Sequence, residues 1–252
     1  MSRPYAPSRS SVSFGPGPLS LTLQVIIGAN VALFLAQTFL SGGFSLASYL
    51  GLTVVRVVND FMIWQVATYM FLHGGLLHLL FNMLALWMFG TELERIWGTR
   101  YFLKYYFACG IGAAVLTVLF ALLPLSAAVG LRYAPIIGAS GAIYGLLLAY
   151  GLYFPDRPIL LYMVFPIPAK YFVILMGAIA FYSSLTDNGG GVANMTHLGG
   201  LIIGYLMLKG ARFHPLSETK YWYLRWKMQR VRRKFGVHQG GRSGGSWNRR
   251  VH

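Results

Sequence analysis

Six stretches of this chain, residues 19–40, 63–90, 105–123, 136–154, 171–186 and 192–208, run for at least sixteen positions without an Asp, Glu, Lys or Arg. A helix needs about 20 residues to cross the hydrocarbon core of a bilayer, so such runs mark membrane spans. Only 11% of the residues are charged, against about a quarter in a soluble domain. The pattern predicts an all-α membrane protein, a six-transmembrane-helix bundle over residues 19–208 that uses lipid in place of a water-excluding core. Residues 1–18 read as a disordered tail and 209–252 as a basic tail. Between the runs, 41–61 reads as a loop partly in the interface, 91–104 as a polar loop and 126–135 as a short loop. Residues 159–170, broken by Pro166 and Pro168, read as a segment skimming the interface, and 187–191 as a flexible loop. The first run is long enough to stay as a span, so no cleavable signal segment is expected. Cys109 is the single cysteine, which excludes an intramolecular disulfide.

The net charge of +15 invites a nucleic-acid reading, but its placement decides otherwise. With six spans and both ends on one side, that side holds 19 of the 21 basic residues; Arg56 and Arg132 are the other two. Cytoplasmic loops carry the excess of Lys and Arg, so both termini are expected in the cytoplasm. The charge is then topology and leaflet attraction, and no nucleic acid is required. Residues 221–235 mix Trp, Tyr and Leu with Arg and Lys. They read either as an interfacial helix on anionic lipid or as a solvated basic tail.

Polar side chains inside spans are costly, and each needs a reason. His73, His78, Asn82, Ser140, Tyr144 and His197 are the informative ones. His78 and Asn82, four apart, share a helix face. They suit either an interhelical polar clamp or a pair of donors for an oxyanion. Ser140 opens the fourth run inside GASGAIYG at 138–145. If the helix starts at Ser140, its backbone N–H is free at the positive end of the helix dipole. Gly141 and Gly145 also form a small-xxx-small packing motif, so Ser140 is either part of a packing contact or a nucleophile. His197 lies early in the sixth run beside Gly200 and Gly204. If the glycine faces of spans four and six meet, His197 can take the Ser140 proton. No Asp or Glu lies in any span, so a dyad is expected rather than a triad, with Tyr144 as the candidate to orient the imidazole. His73 and His78, five apart, are set about 140° apart on a helix. HExxH is absent, so no metal and no cofactor are expected.

Four segments taken in order, HGGLLHLLFNM at 73–83, GTELERIWG at 90–98, GASGAIYG at 138–145 and HLGG at 197–200, resemble the rhomboid family of intramembrane serine proteases. The resemblance covers about residues 19–208 and implies a rhomboid-like bundle. It implies that Ser140 is the nucleophile and His197 the general base. His78 and Asn82 would line an oxyanion hole completed by the Ser140 N–H, and Tyr144 would pack on the histidine. Gly141 and Gly200 would let spans four and six touch, His73 would hold structure and water near the site, and Glu94 would stabilise the fold. FPIPAK at 165–170 resembles bacterial members, which implies a bacterial inner membrane. Where the family often has Trp-Arg, this chain has Trp64-Gln65, which puts a loop-anchoring contact in question.

The function implied is an endopeptidase cleaving transmembrane or membrane-adjacent segments of single-span membrane proteins. Span five and residues 183–194 are the expected gate. A catalytically silent rhomboid-like protein that escorts membrane proteins is the alternative, and a small transporter a third reading; the latter predicts polar groups at both leaflets.

Overall fold

The computed structural model describes residues 16–39, 45–161, 165–185 and 191–212. The N-terminal tail before residue 16, residues 186–190 of the expected gate and the basic tail beyond 212 lie outside the described residues. The chain divides into two units, Met1–Lys209 and Gly210–His252, and the architecture below is that of the first.

Helix α1 (Leu21–Phe39) is followed by three short helices, α2 (Leu46–Leu50), α3 (Val54–Asn59) and α4 (Gln65–Thr68), and a 3-10 turn, Tyr69–Phe71. Helix α5 (Leu76–Ala85) runs through a π turn, Leu86–Gly90, into α6 (Thr91–Trp97). Then come α7 (Thr99–Ala121), α8 (Ser126–Tyr133) and α9 (Ser140–Tyr153). A two-stranded antiparallel hairpin, β1 (Pro158–Leu161) and β2 (Phe165–Pro168), leads to α10 (Ala169–Leu185) and α11 (Gly191–Arg212). Among the described residues, three helices, Leu21–Phe39, Leu76–Trp97 and Thr99–Ala121, are long and apolar enough to cross a membrane. Ser140–Tyr153 and Ala169–Ser184 are apolar and shorter.

The surface is that of a lipid-facing protein. On α5, Leu76, Leu77, Leu80 and Phe81 are more than half exposed while Leu79, Asn82 and Met83 are buried. The three- and four-residue spacing turns one face inward and gives the other to lipid. On α7 the buried residues Phe102, Tyr105, Tyr106, Cys109, Gly110, Ala113, Ala114 and Thr117 form one such stripe. Helix α9 is buried nearly all round, as expected of a bundle's central element. Its 14 residues reach about 21 Å at 1.5 Å each, short of a hydrocarbon core of about 30 Å.

The second span departs from its predicted bounds of 63–90. Leu72 and Gly75 are extended, so the helix begins at Leu76 and His73 precedes it. The Gly74-Gly75 pair explains this, since consecutive glycines weaken a helix whatever the hydropathy around them. At its other end the helix continues through predicted polar-loop residues to Trp97, and α7 restarts at Thr99. The charges there have partners. Glu94, almost fully buried, accepts from the Ser20 and Thr99 hydroxyls. Glu92 pairs with Arg95 and Arg157, both at 3.3 Å. The loops predicted at 41–61 and 126–135 contain α2, α3 and α8, and the segment at 159–170 is mostly the hairpin.

Gln65 itself anchors the first loop. Fully buried, its Oε1 accepts from Thr53 N at 3.0 Å and its Nε2 donates to the Ser48 and Tyr49 carbonyls at 3.3 and 3.2 Å. Trp64 Nε1 donates to the same Tyr49 carbonyl at 3.0 Å. Gln65→Leu keeps the bulk and strands these groups, at a cost of about 2–3 kcal/mol. Thermal unfolding in detergent should show a clearly lower Tm; a Tm within about one degree of wild type would contradict the anchor.

Candidate active site

Close backbone approach builds the site. A Cβ on Gly200 would fall on the Gly141 carbonyl, so α9 and α11 meet main chain to main chain. A Cβ on Gly199 would stand 3.0 Å from Ala113 Cα on α7. Tyr105 Oη of α7 donates to the Gly145 carbonyl at 2.9 Å, and Tyr69 Oη donates to Gly110 O at 2.7 Å. Small residues permit this approach where lipid offers no hydrophobic drive between helices.

The segment entering α9 is held by backbone bonds. Leu52 and Ile136 exchange N–H···O bonds of 2.9 and 2.8 Å, and Gly138 N donates to Tyr69 O at 2.9 Å. Gly138 has φ +127, a conformation that L side chains rarely adopt. A Cβ there would also stand 2.9 Å from the His78 ring. The turn delivers Ser140 as the first residue of α9, where the leading backbone N–H groups have no intrahelical acceptor.

Ser140 Oγ lies 2.8 Å from His197 Nε2. The His197 ring stacks on Tyr144, centroids 4.3 Å apart and planes inclined by 6°. Among the described residues its Nδ1 has no hydrogen-bond partner. His78 faces the same space from α5. Its Nδ1 accepts from Gly74 N at 3.3 Å, so in the neutral ring Nε2 carries the proton and is the donor. The point where a Gly138 Cβ would stand is 2.9 Å from His78 Nε2 and 3.7 Å from Ser140 Oγ.

Two residues sit differently from the expectation. Asn82 is on the His78 face, but its Nδ2 donates to its own helix at His78 O, 2.7 Å away; one amide proton remains for another acceptor. His73, placed on a common helix with His78 by the sequence reading, lies before α5, and the two rings meet edge to face at 5.0 Å. It is fully buried, and its carbonyl accepts from Gln37 Nε2. No cluster of three His, Cys, Asp or Glu side chains occurs among the described residues.

Sequence reasoning passed over Gly74, whose N–H sets the His78 tautomer, and Gly199, which contacts Ala113. The Gly-Gly pairs at 74–75 and 199–200 were the available signal.

Comparison with known proteins covers this same region. The rhomboid domain family matches residues 60–211, a range that takes in every side chain of the site. Rhomboid protease AarA of Providencia stuartii is 32% identical over 217 residues, 79% of this chain and 75% of that protein. Rhomboid protein 1, mitochondrial, of Saccharomyces cerevisiae is 35% identical over 54% of the chain. Rhomboid protease GluP of Bacillus subtilis is 36% identical over 56%. The matches span only 38% and 25% of those two proteins. A domain match over more than half the chain, and a relative alike along most of both lengths, place this integral membrane protein in the rhomboid family.

Proposed function

We propose that the chain is an intramembrane serine endopeptidase that cleaves transmembrane or membrane-adjacent segments of single-span membrane proteins with a Ser140–His197 dyad. The observation that carries this is the 2.8 Å contact between Ser140 Oγ and His197 Nε2 at the head of a buried helix. A packing serine needs neither an imidazole at that distance nor an aromatic ring stacked on the imidazole.

The chemistry follows from the geometry. As Oγ attacks the scissile carbonyl carbon, its proton passes to His197 Nε2. The negative charge forms on the carbonyl oxygen, near the His78 Nε2–H and the free N–H groups at the start of α9, with the second Asn82 amide proton in reserve. Collapse breaks the C–N bond, and the leaving amine takes the proton from His197. A water, deprotonated by the same nitrogen, then releases the acyl group. Tyr144 keeps the ring in plane through both halves.

The setting is part of the proposal. Six crossings with both termini in the cytoplasm put Ser140 and His197 toward the outer face, reached by water there. The bacterial inner membrane is the proposed location, with the basic C-terminal tail against anionic lipid.

The test is a labelled single-span protein co-expressed with wild type or with Ser140→Ala. Cleavage by wild type alone is expected, together with covalent labelling of Ser140 by a fluorophosphonate, mapped by peptide. Equal cleavage by both proteins would end the assignment. Association with no cleavage by either would favour the escort reading.

A further inference from the structure

We propose that Thr117 on α7 and Thr196 on α11 form a positioning pair that sets the rotation of α11, and through it the place of His197 against Ser140. The proposal rests on the dyad reading above.

Both threonines are 1% exposed, and their hydroxyl oxygens are 3.1 Å apart. Thr117 Oγ1 also donates to the Ala113 carbonyl at 2.8 Å. Ala113 is the residue on which Gly199 rests, and its Cβ lies 3.2 Å from where a Gly141 Cβ would stand. Thr196 Cγ2 occupies the same corner, 3.2 Å from that point. The pair is therefore one helical turn along α7 from the crossing of α7, α9 and α11, and one residue from His197.

The glycine contacts limit how closely the helices approach, but small flat surfaces offer little resistance to turning about the helix axis. A hydrogen bond of set length does resist it. Consecutive residues are 100° apart on a helix, so with Thr196 held toward α7, His197 projects toward α9 and Ser140. A turn of about 10° moves an atom about 6 Å from the axis by about 1 Å, and misplacement of that size can cost about 100-fold in rate. His197 is open to such error because its Nδ1 has no hydrogen-bond partner among the described residues. A Ser-His-Asp site orients the imidazole from that nitrogen; here the hold is applied through the backbone of the preceding residue.

The test uses the full chain in liposomes, with a fluorogenic transmembrane substrate and the variants Thr117→Val, Thr196→Val, Thr117→Ser and Thr196→Ser. Valine keeps the shape and removes the hydroxyl. Each valine variant should lower kcat about 10- to 100-fold with KM within about twofold. Each serine variant should recover most of the loss, and the double valine variant should be no worse than either single one. A valine variant with wild-type kcat, a loss that serine does not recover, or a fall confined to Tm would overturn the proposal. A second readout needs no catalysis: the His197 imidazole nitrogen signals by NMR. They should move in the valine variants, return in the serine variants, and leave His78 unshifted. If wild type cleaves nothing, the protease reading fails and these signals alone decide: unmoved His197 signals overturn the pair, and signals that move and return support it.

Discussion

His197→Ala is expected to cost cleavage about as much as Ser140→Ala, at least roughly 10,000-fold in kcat/KM, and the double replacement no more than either. In the proposed mechanism the two side chains act as one unit. Oγ is a poor nucleophile until its proton has somewhere to go, and His197 Nε2 at 2.8 Å is that place. His78 cannot serve in its stead, because its Nδ1 already accepts from Gly74 and its Nε2 carries a proton. With either member gone, what survives is the modest acceleration that carbonyl-binding donors supply alone. Kinetics on a purified transmembrane substrate in liposomes check this. Losses that multiply in the double variant, or more than a tenth of activity left in His197→Ala, would show that the two do not work together. Both variants should keep the wild-type Tm, since neither residue carries the helix crossing.

Gly200→Ala should do what those replacements do not and damage fold and activity together. Its new methyl would fall on the Gly141 carbonyl, a backbone atom with no rotamer to escape into. Overpacking of this kind costs about 1–3 kcal/mol, occasionally more, and relief requires α11 to back away from α9. His197 leaves with it, so a cleavage loss beyond about 100-fold is expected. Gly28→Ala is the control, for a Cβ there meets nothing within 4 Å among the described residues; it should change stability by no more than about 1 kcal/mol. Equal Tm and activity in the two variants would mean that the helices do not meet at Gly200.

How far the sequence could be read depended on what kind of signal each residue left. Ser140 and His197 stood out because hydroxyl and imidazole groups are rare in apolar runs and each lay beside a spaced glycine pair. The start of the second span was hidden, because hydropathy counts composition and Gly74-Gly75 is uncharged; the break is a backbone effect. Hydropathy likewise places His73 on a helix that it does not join, and the angular separation such a helix implies sets apart two rings that meet edge to face. Helices α2, α3 and α8 leave no helical signature in the sequence because one or two turns have little stability of their own. Their support is tertiary, as in the hydrogen bonds from Gln65 and Thr68 to the carbonyls of α2. The spacing of His78 and Asn82 correctly gave a common face, but spacing does not say where an amide proton goes. Thr117 and Thr196 left no signal, since a threonine in an apolar helix commonly bonds to its own turn.

Where α9 and α11 cross, main chain rests on main chain with no side chain interposed. The separation of the two helix axes is thus set by main chain rather than by flexible groups that a ligand or a change of lipid can reshuffle. If Ser140 and His197 are the proposed dyad, the pair is armed before a substrate arrives, and control of turnover falls to supply: how readily a peptide unwinds into reach, and how fast water follows it.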